Sequence, residues 1–109
     1  MQLKPGDVVV GLLPGAAETK VRPGVVVASE LYLAERPDVL VGILTTKPPS
    51  HAGTTDYRLR DWQSAGLRAP SFFRAYLLTI YRSNVTVIGS LSERDWESVR
   101  ICIRSALAI

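Results

Sequence analysis

The segment DVLVGILTT, residues Asp38 to Thr46, predicts the strand on which the fold depends. Alternate side chains of a strand point to opposite faces, and in this segment both sets of side chains are apolar. Such a strand needs cover on both faces, so we expect it at the centre of a sheet. Pro48 and Pro49 follow the segment closely and end the strand.

Further strands are predicted on both sides of this central segment, because short apolar runs alternate with turn residues. The predicted strands are Asp7–Leu13, Arg22–Ser29, Thr55–Trp62, Ser71–Tyr81 and Asn84–Leu91. A proline cannot donate a hydrogen bond within a sheet, so Pro23 is expected to mark the entrance of the second strand. The short polar break at Arg82 and Ser83 predicts that the last two strands form a hairpin.

The C-terminal segment changes from the period of a strand to that of a helix. Ser92 fits the N-cap of a capping box, with Asp95 at the third helical position. A single apolar stripe is formed by Trp96, Val99, Ile103, Ala106 and Leu107. The sequence therefore predicts a mainly β fold with a C-terminal helix, in which the strands form a small, strongly curved antiparallel barrel.

Size and composition limit the class of protein. The chain has 109 residues, which predicts one domain over residues 1–109. Apolar residues make up 47% and charged residues 21%, as in folded domains, and no apolar run approaches the ~20 residues of a membrane span. A net charge of +3 is compatible with nucleic-acid binding without requiring it. Cys102 is the only cysteine, which excludes an internal disulfide and suits a reducing cytoplasm.

The usual catalytic side chains are scarce. His51 is the only histidine, so a two-histidine acid–base pair is impossible within one chain and an ordinary zinc site is not expected. Its loop is rich in Pro, Gly, Ser and Thr, which favours a plain loop residue over a functional one. Cys102 lies beside the apolar stripe and is interpreted as a buried structural thiol. The sequence contains no phosphate-binding loop, dinucleotide fingerprint or nucleophile elbow.

Arg22 and Thr45 remain as candidates for chemistry. If the second and third predicted strands pair, the two residues border one cleft, where a guanidinium and a hydroxyl can share an anionic ligand. Arginine suits a phosphate because its planar fork forms bidentate hydrogen bonds. The alternatives are a solvated strand end for Arg22 and an ordinary strand residue for Thr45.

Six pieces of the chain occur in an order that resembles the MazF/PemK toxins of bacterial toxin–antitoxin systems. They are KPGDVVV, KVRPGVVVAS, VLVGILTT, AGLRAPS, LLTI and IGSLSERD, and they extend from Lys4 to the C-terminal helix. Each piece alone is short, but six at the right spacing in a chain of the right length are specific.

The resemblance implies the SH3-like barrel that MazF and CcdB toxins share, in a homodimer. It further implies sequence-specific cleavage of single-stranded RNA, chiefly mRNA, in the cytoplasm, without a metal or another cofactor and without the ribosome. The expected protein partner is a small cognate antitoxin whose flexible tail fills the RNA groove.

The resemblance also assigns residues. Arg22 matches the catalytic arginine of the Arg-Pro motif, and Thr45 matches the threonine that ends the third strand. The 2′-hydroxyl of the RNA would attack the adjacent phosphorus, leaving a 2′,3′-cyclic phosphate or 3′-phosphate and a 5′-hydroxyl. Arg22 would stabilise the phosphorane, and Thr45 would bind a non-bridging oxygen. RNA contacts are expected from Glu18, Lys20, Thr46, Lys47 and Arg74.

The sequence departs from the family pattern in ways that leave questions open. Some members carry an acidic residue, proposed as general base, where this chain has Ala75, so Glu18 is the remaining candidate. Gly24 replaces the small apolar residue usual after Arg-Pro. Arg74 fits either a phosphate contact or a solvated strand face. For the aromatic residues, base stacking and packing both remain open, with packing favoured. They are Phe72, Phe73, Tyr76 and Tyr81.

Two other functions remain open at this point. One is a non-catalytic toxin that blocks gyrase as CcdB does, although the chain ends SALAI without the tryptophan of that class. The other is a degenerate relative that binds RNA or an antitoxin without cleaving RNA.

Overall fold

A computed structural model describes residues 2–14, 18–49 and 53–109, and the loop position His51 lies outside these ranges. The elements in chain order are β1 (Asp7–Pro14), β2 (Thr19–Val26), α1 (Glu30–Glu35), β3 (Asp38–Thr45), β4 (Asp56–Arg58), β5 (Phe72–Tyr81), a short 3-10 helix (Arg82–Asn84), β6 (Val85–Ser90) and α2 (Glu93–Ala106). The six strands form one curled antiparallel sheet in the order β4-β5-β3-β2-β1-β6. The predicted mainly β fold with a C-terminal helix is confirmed.

The strand β3 lies between β5 and β2 and contributes to two apolar cores, one on each face of the sheet. We call them the inner core and the outer core. The inner core consists of Leu3, Val9, Leu13, Val26, Ala28, Leu33, Val39, Val41, Ile43 and Val85. The outer core consists of Val8, Val25, Leu44, Leu59, Ala65, Phe73, Val99 and Cys102. Because α2 supplies Val99 and Cys102, it covers the outer face, and the prediction that β3 is central and buried on both faces is confirmed.

The prediction that Pro23 marks the start of the second strand is wrong. The strand β2 begins at Thr19 and ends at Val26, so Pro23 lies in its interior, opposite Val10 of β1. The pairing of β2 with β3 includes only Gly24–Val26, which leaves the preceding residues as an edge on that side. A proline at an edge removes no hydrogen bond to a neighbouring strand, so the sheet tolerates it.

Two other sequence predictions about the strands are also wrong. The last two strands do not form a hairpin, since β5 pairs with β3 and β4 whereas β6 pairs with β1. The 3-10 helix at Arg82–Asn84 redirects the chain between them, which a polar break alone does not reveal. The predicted strand Thr55–Trp62 is reduced to three residues, and the rest of it forms an irregular segment.

The helix α1 is absent from the sequence predictions, because Ser29 was assigned to the end of a strand. Its hydroxyl instead accepts a hydrogen bond from the amide of Tyr32 at 3.1 Å and caps the helix. At the other end, the Arg82 guanidinium donates to the carbonyl oxygens of Leu33 and Arg36, the latter at 2.7 Å. Leu33 anchors α1 in the inner core.

The N-terminus of α2 agrees only in part with the predicted capping box. Ser92 is the N-cap, and its hydroxyl accepts from the amide of Asp95 at 3.3 Å. The carboxylate of Asp95 does not serve the helix itself. It is fully buried and accepts from the Tyr57 hydroxyl at 2.6 Å and from the amides of Arg60 and Asp61 at 3.0 and 2.8 Å. Asp95 therefore joins α2 to the segment after β4.

The same segment is held by a second carboxylate. Asp61 accepts two hydrogen bonds from the Arg94 guanidinium at 2.7 and 2.8 Å and one from Ser92 at 2.5 Å. The Arg94 guanidinium, and after it the Ser92 hydroxyl, hold the pKa of Asp61 well below its usual range.

Further along α2, burial raises the pKa of the Cys102 thiol, as expected for a structural cysteine. The predicted apolar stripe ends earlier than expected, because Ala106 and Leu107 are exposed.

We predict that Asp95→Ala lowers the free energy of unfolding by about 3 kcal/mol or more, because it leaves buried donors without an acceptor. Glu97→Ala is the matched control on the same helix, since Glu97 forms only an exposed ion pair with Arg100, and its effect should stay within about 0.5 kcal/mol. Urea unfolding followed by circular dichroism measures both. Equal unfolding midpoints for the two variants would contradict the role given to Asp95.

Candidate nucleic-acid interface

The pairing of β2 with β3 brings Arg22 and Thr45 to the same place. The recorded pairs are Gly24 with Ile43, Val25 with Gly42 and Val26 with Val41. When this register is extended by two residues beyond the last pair, Arg22 stands opposite Thr45, on the face that carries the inner core. The hypothesis that both residues border one cleft therefore has the strand pairing that it requires.

Arg22 carries a buried donor that no described residue uses. It lies opposite Gly11 of β1 and is half-buried, and its Nη2 donates a long hydrogen bond of 3.3 Å to the carbonyl oxygen of Glu18. Its Nε is buried and has no hydrogen-bond partner among the described residues. An unsatisfied buried donor costs free energy, and an anionic ligand at this position would satisfy it.

Close packing between β2 and β3 explains why a glycine, Gly24, follows Pro23. A Cβ at Gly24 would lie 3.0 Å from the carbonyl oxygen of Gly42 in β3 and 3.4 Å from Cδ1 of Leu13. The backbones of β2 and β3 approach closely at this point, so Gly24 allows the tight strand contact from which Arg22 extends.

Thr45 is the last residue of β3 and is half-buried. Its Oγ1 accepts a hydrogen bond from the amide of Lys47 at 3.2 Å, which turns the chain away from the sheet. No described group accepts a bond from the hydroxyl, so its proton is available to a ligand. Thr46 and Lys47 follow on the surface and are exposed.

The other predicted contact residues lie on β5 and at the start of β2. Glu18 and Lys20 lie at the start of β2, are exposed, and form a loose ion pair at 4.0 Å. Arg74 lies on β5 opposite Ile43, next to the row of Arg22 and Thr45, and is exposed. Its neighbour on β4 is Asp56. The strand pairing thus places the cations Lys20, Arg22 and Arg74 on one face.

Ala75, at the position where some relatives carry an acid, does not lie on the same face of the sheet as Arg22. Ala75 packs against the outer core, whereas Arg22 lies on the face of the inner core. The aromatic residues of β5 also separate: Phe73 is fully buried in the outer core, and Tyr81 is 63% exposed. Packing is therefore the correct interpretation for Phe73.

Two further residues lie in the same row: Phe72, for which the sequence left base stacking and packing open, and Arg58, which the sequence did not assign to the site. Phe72 stands directly opposite Thr45 across β3 and β5, and Arg58 stands opposite Phe72 across β4 and β5. The row therefore runs Arg22, Thr45, Phe72 and Arg58 over four strands. Only the register could reveal this, because Arg58 is distant from Arg22 in the sequence.

Within residues 2–14, 18–49 and 53–109, no group of three or more His, Cys, Asp or Glu side chains is arranged to hold a metal ion. Neither is any helix in this part of the chain long and apolar enough to cross a membrane.

Comparisons with known proteins bear on the family and the fold of the chain. Residues 4–107 match the family described as PemK-like, MazF-like toxins of type II toxin–antitoxin systems. No curated protein sequence matches the chain.

Several solved structures share the fold. One is an endoribonuclease in complex with its cognate antitoxin from Mycobacterial species, at a TM-score of 0.80 and 16% identity, covering 98% of this chain and 96% of that chain. Another is the Mycobacterium tuberculosis toxin MazF-mt6, at a TM-score of 0.70 and 20% identity, covering 94% and 95%. A third is MazE-MazF from Deinococcus radiodurans, at a TM-score of 0.77 and 14% identity, covering 100% and 99%. At such identities the likeness establishes the fold.

We predict that Arg22→Met leaves the free energy of unfolding within about 0.5 kcal/mol of the original or raises it, because the substitution removes an unsatisfied buried donor and keeps the apolar stem. Arg82→Met is the matched control. Arg82 also has a buried Nε without a described partner, but its Nη2 donates to two carbonyl oxygens of the α1 region, so its loss should cost about 2 kcal/mol. Urea unfolding compares the two. A loss for Arg22→Met as large as that for Arg82→Met would give Arg22 a structural role.

Proposed function

The chain belongs to the PemK-like, MazF-like toxins of type II toxin–antitoxin systems, and we propose that it is a sequence-specific endoribonuclease that cleaves single-stranded RNA. The observation that carries the proposal is the buried Nε of Arg22, which lacks a partner among the described residues, two residues beyond the end of the β2–β3 pairing, where the extended register sets Arg22 opposite Thr45. Family membership bears out the resemblance on which the sequence interpretation was based. The domain that performs this function extends over residues 1–109.

In the proposed reaction the RNA supplies its own nucleophile. The 2′-oxygen attacks the adjacent phosphorus as its proton leaves, the bond from phosphorus to the 5′-oxygen breaks, and the 5′-oxygen takes up a proton. The products are a 2′,3′-cyclic phosphate, which can open to a 3′-phosphate, and a 5′-hydroxyl. This chemistry needs a positioned phosphate and stabilised charge more than it needs a histidine pair, and no metal ion takes part in it.

Arg22 and Thr45 have complementary roles at the phosphate. The guanidinium of Arg22 offers Nε and Nη donors to the phosphorane oxygens, where negative charge develops in the transition state. The Thr45 hydroxyl donates to a non-bridging oxygen while its own oxygen accepts from the Lys47 amide. The Glu18 carbonyl oxygen accepts a hydrogen bond of 3.3 Å from Nη2 of the guanidinium. Two different elements thus hold the phosphate between them.

The remaining contacts position the RNA. Lys20, Lys47 and Arg74 are exposed cations near the pair and would bind neighbouring phosphates, and Thr46 adds a hydroxyl. Glu18 is the proposed acceptor of the 2′-hydroxyl proton, because Ala75 leaves no acid at the position used by some relatives and packs into the outer core instead. Its exposed carboxylate lies at the entrance to β2.

The proposed partners follow from the same assignment. A cognate antitoxin would occupy the RNA site, as suggested by the related endoribonuclease that was solved with its cognate antitoxin. We place the active form in a homodimer in the cytoplasm, where mRNA is accessible.

We predict that the purified chain cleaves a randomised single-stranded RNA in the presence of EDTA, and that Arg22→Ala and Thr45→Ala each slow cleavage at least about a hundredfold. Gel analysis gives the rate, and end-labelling identifies the 5′-hydroxyl product. Arg104→Gln is the control, because it removes one exposed charge from the last turn of α2.

Full-length RNA in every reaction, including the unsubstituted chain, would contradict the assignment as a nuclease. If the chain then still bound RNA, it would be the non-cleaving relative; inhibition of gyrase in a supercoiling assay would instead identify a CcdB-like toxin.

A further inference from the structure

The row of residues that contains the proposed catalytic pair continues to the edge of the sheet. Thr45 pairs with Phe72 and Phe72 pairs with Arg58, and side chains directly opposite each other on antiparallel strands lie on the same face. From Arg22 to Arg58 the row crosses three strand spacings, roughly 14 Å. A single strand of RNA held at Arg22 therefore has a continuous line of side chains to follow towards β4.

Phe72 is an aromatic ring that the cores do not use. The next residue, Phe73, is fully buried in the outer core. Phe72 itself is half-buried and, among the described residues, belongs to neither core and is not packed against either of them. An aromatic side chain one strand away from a phosphate site can stack on an unpaired base, and such stacking tolerates different bases.

Arg58 is a cation that the described part of the protein does not neutralise. It is exposed at the end of the edge strand β4, and none of the hydrogen bonds or ion pairs recorded among the described residues involves its side chain. By contrast, Arg36, Arg94 and Arg100 each pair with a carboxylate. An unpaired guanidinium in line with a phosphate site can bind a second phosphate.

Cations and aromatic rings also lie on the surface next to Arg58. An open depression of about 670 Å³ is lined there by Tyr57, Arg58, Leu59, Arg60, Trp62 and Arg94. Arg94 is paired with Asp61, but Arg60 provides a further exposed cation, and Trp62, half-buried against the outer core, provides a further aromatic ring. Cations interleaved with aromatic rings are the arrangement that binds single-stranded nucleic acid.

We propose that the RNA crosses the sheet from β2 to β4, with a base next to the scissile phosphate stacked on Phe72 and a neighbouring phosphate bound by Arg58 at the entrance of the depression. The inference rests on the proposed function for the position of the scissile phosphate. It makes Phe72 and Arg58 binding residues, which distinguishes them from the pair that acts on the reacting atoms.

The test measures binding separately from cleavage. The probe is a randomised single-stranded RNA with fluorine in place of every 2′-hydroxyl, so it lacks the nucleophile and cannot be cleaved. Its affinity for the chain is measured by fluorescence anisotropy at several salt concentrations. We expect Phe72→Ala to weaken binding roughly tenfold with an unchanged salt dependence. Arg58→Gln should weaken binding and lower the slope of log affinity against log salt by about 0.7. Phe72→Leu retains apolar bulk without the ring and should behave like Phe72→Ala.

A control variant and a parallel cleavage assay distinguish a failure of the proposed RNA path from a failure of the nuclease assignment. Arg104→Gln removes the same charge from α2 on the other face of the sheet and should bind as the unsubstituted chain does. If Phe72→Leu and Arg58→Gln bind as tightly as Arg104→Gln, the proposed path is wrong even where ordinary RNA is cleaved. If both weaken binding and ordinary RNA stays intact, the path is supported and the nuclease assignment fails. Absence of any binding by the unsubstituted chain would overturn the proposed path, whereas the nuclease assignment would still be decided by the cleavage of ordinary RNA.

Discussion

The antiparallel pairing of β2 with β3 is the constraint on which the rest of the structure depends. It holds β3 at the centre of the sheet, with an apolar core on each face, and it stops at Gly24 and Ile43. Beyond that point the two strands continue without pairing, and the same register, extended by two residues, sets Arg22 opposite Thr45. The candidate site is therefore a consequence of where a ladder of hydrogen bonds ends, and both of its members extend from strands of the sheet.

The polar groups of the fold differ in how fully they are satisfied. Asp95 accepts hydrogen bonds from three donors, and Nη2 of Arg82 donates to two carbonyl oxygens, so each fastens one element to another. The Nε of Arg22 has no such partner and its one hydrogen bond is long. An enzyme that must bind charge in its transition state benefits from donors that are held in place but unsatisfied beforehand. Arg82 shares the buried Nε without a described partner, but its Nη2 is held by two carbonyl oxygens, and the weaker fastening of the Arg22 guanidinium agrees with a ligand role.

The parts that could be predicted from the sequence are those with a strong local signal. The two-sided apolar pattern of β3 and the helical period with Ser92 at its start led directly to the central strand and to α2. Other features depend on partners that are distant in the sequence. Pro23 is tolerated within β2 only because β3 stops short of it, and Asp95 binds the segment after β4 instead of its own helix. The row that links Thr45 with Phe72 and Arg58 exists only through the register of three strands. Local patterns carry no information about such alignments.

The central claim is that Arg22 and Thr45 act on one phosphate. A double-mutant cycle in kcat/KM with Arg22→Ala, Thr45→Ala and the double variant tests it most directly, because residues that act on the same group are strongly non-additive. The account predicts that the double variant is little slower than the slower of the two single variants. A double variant whose loss equals the product of the two single losses would mean that the two side chains act independently and would contradict the account.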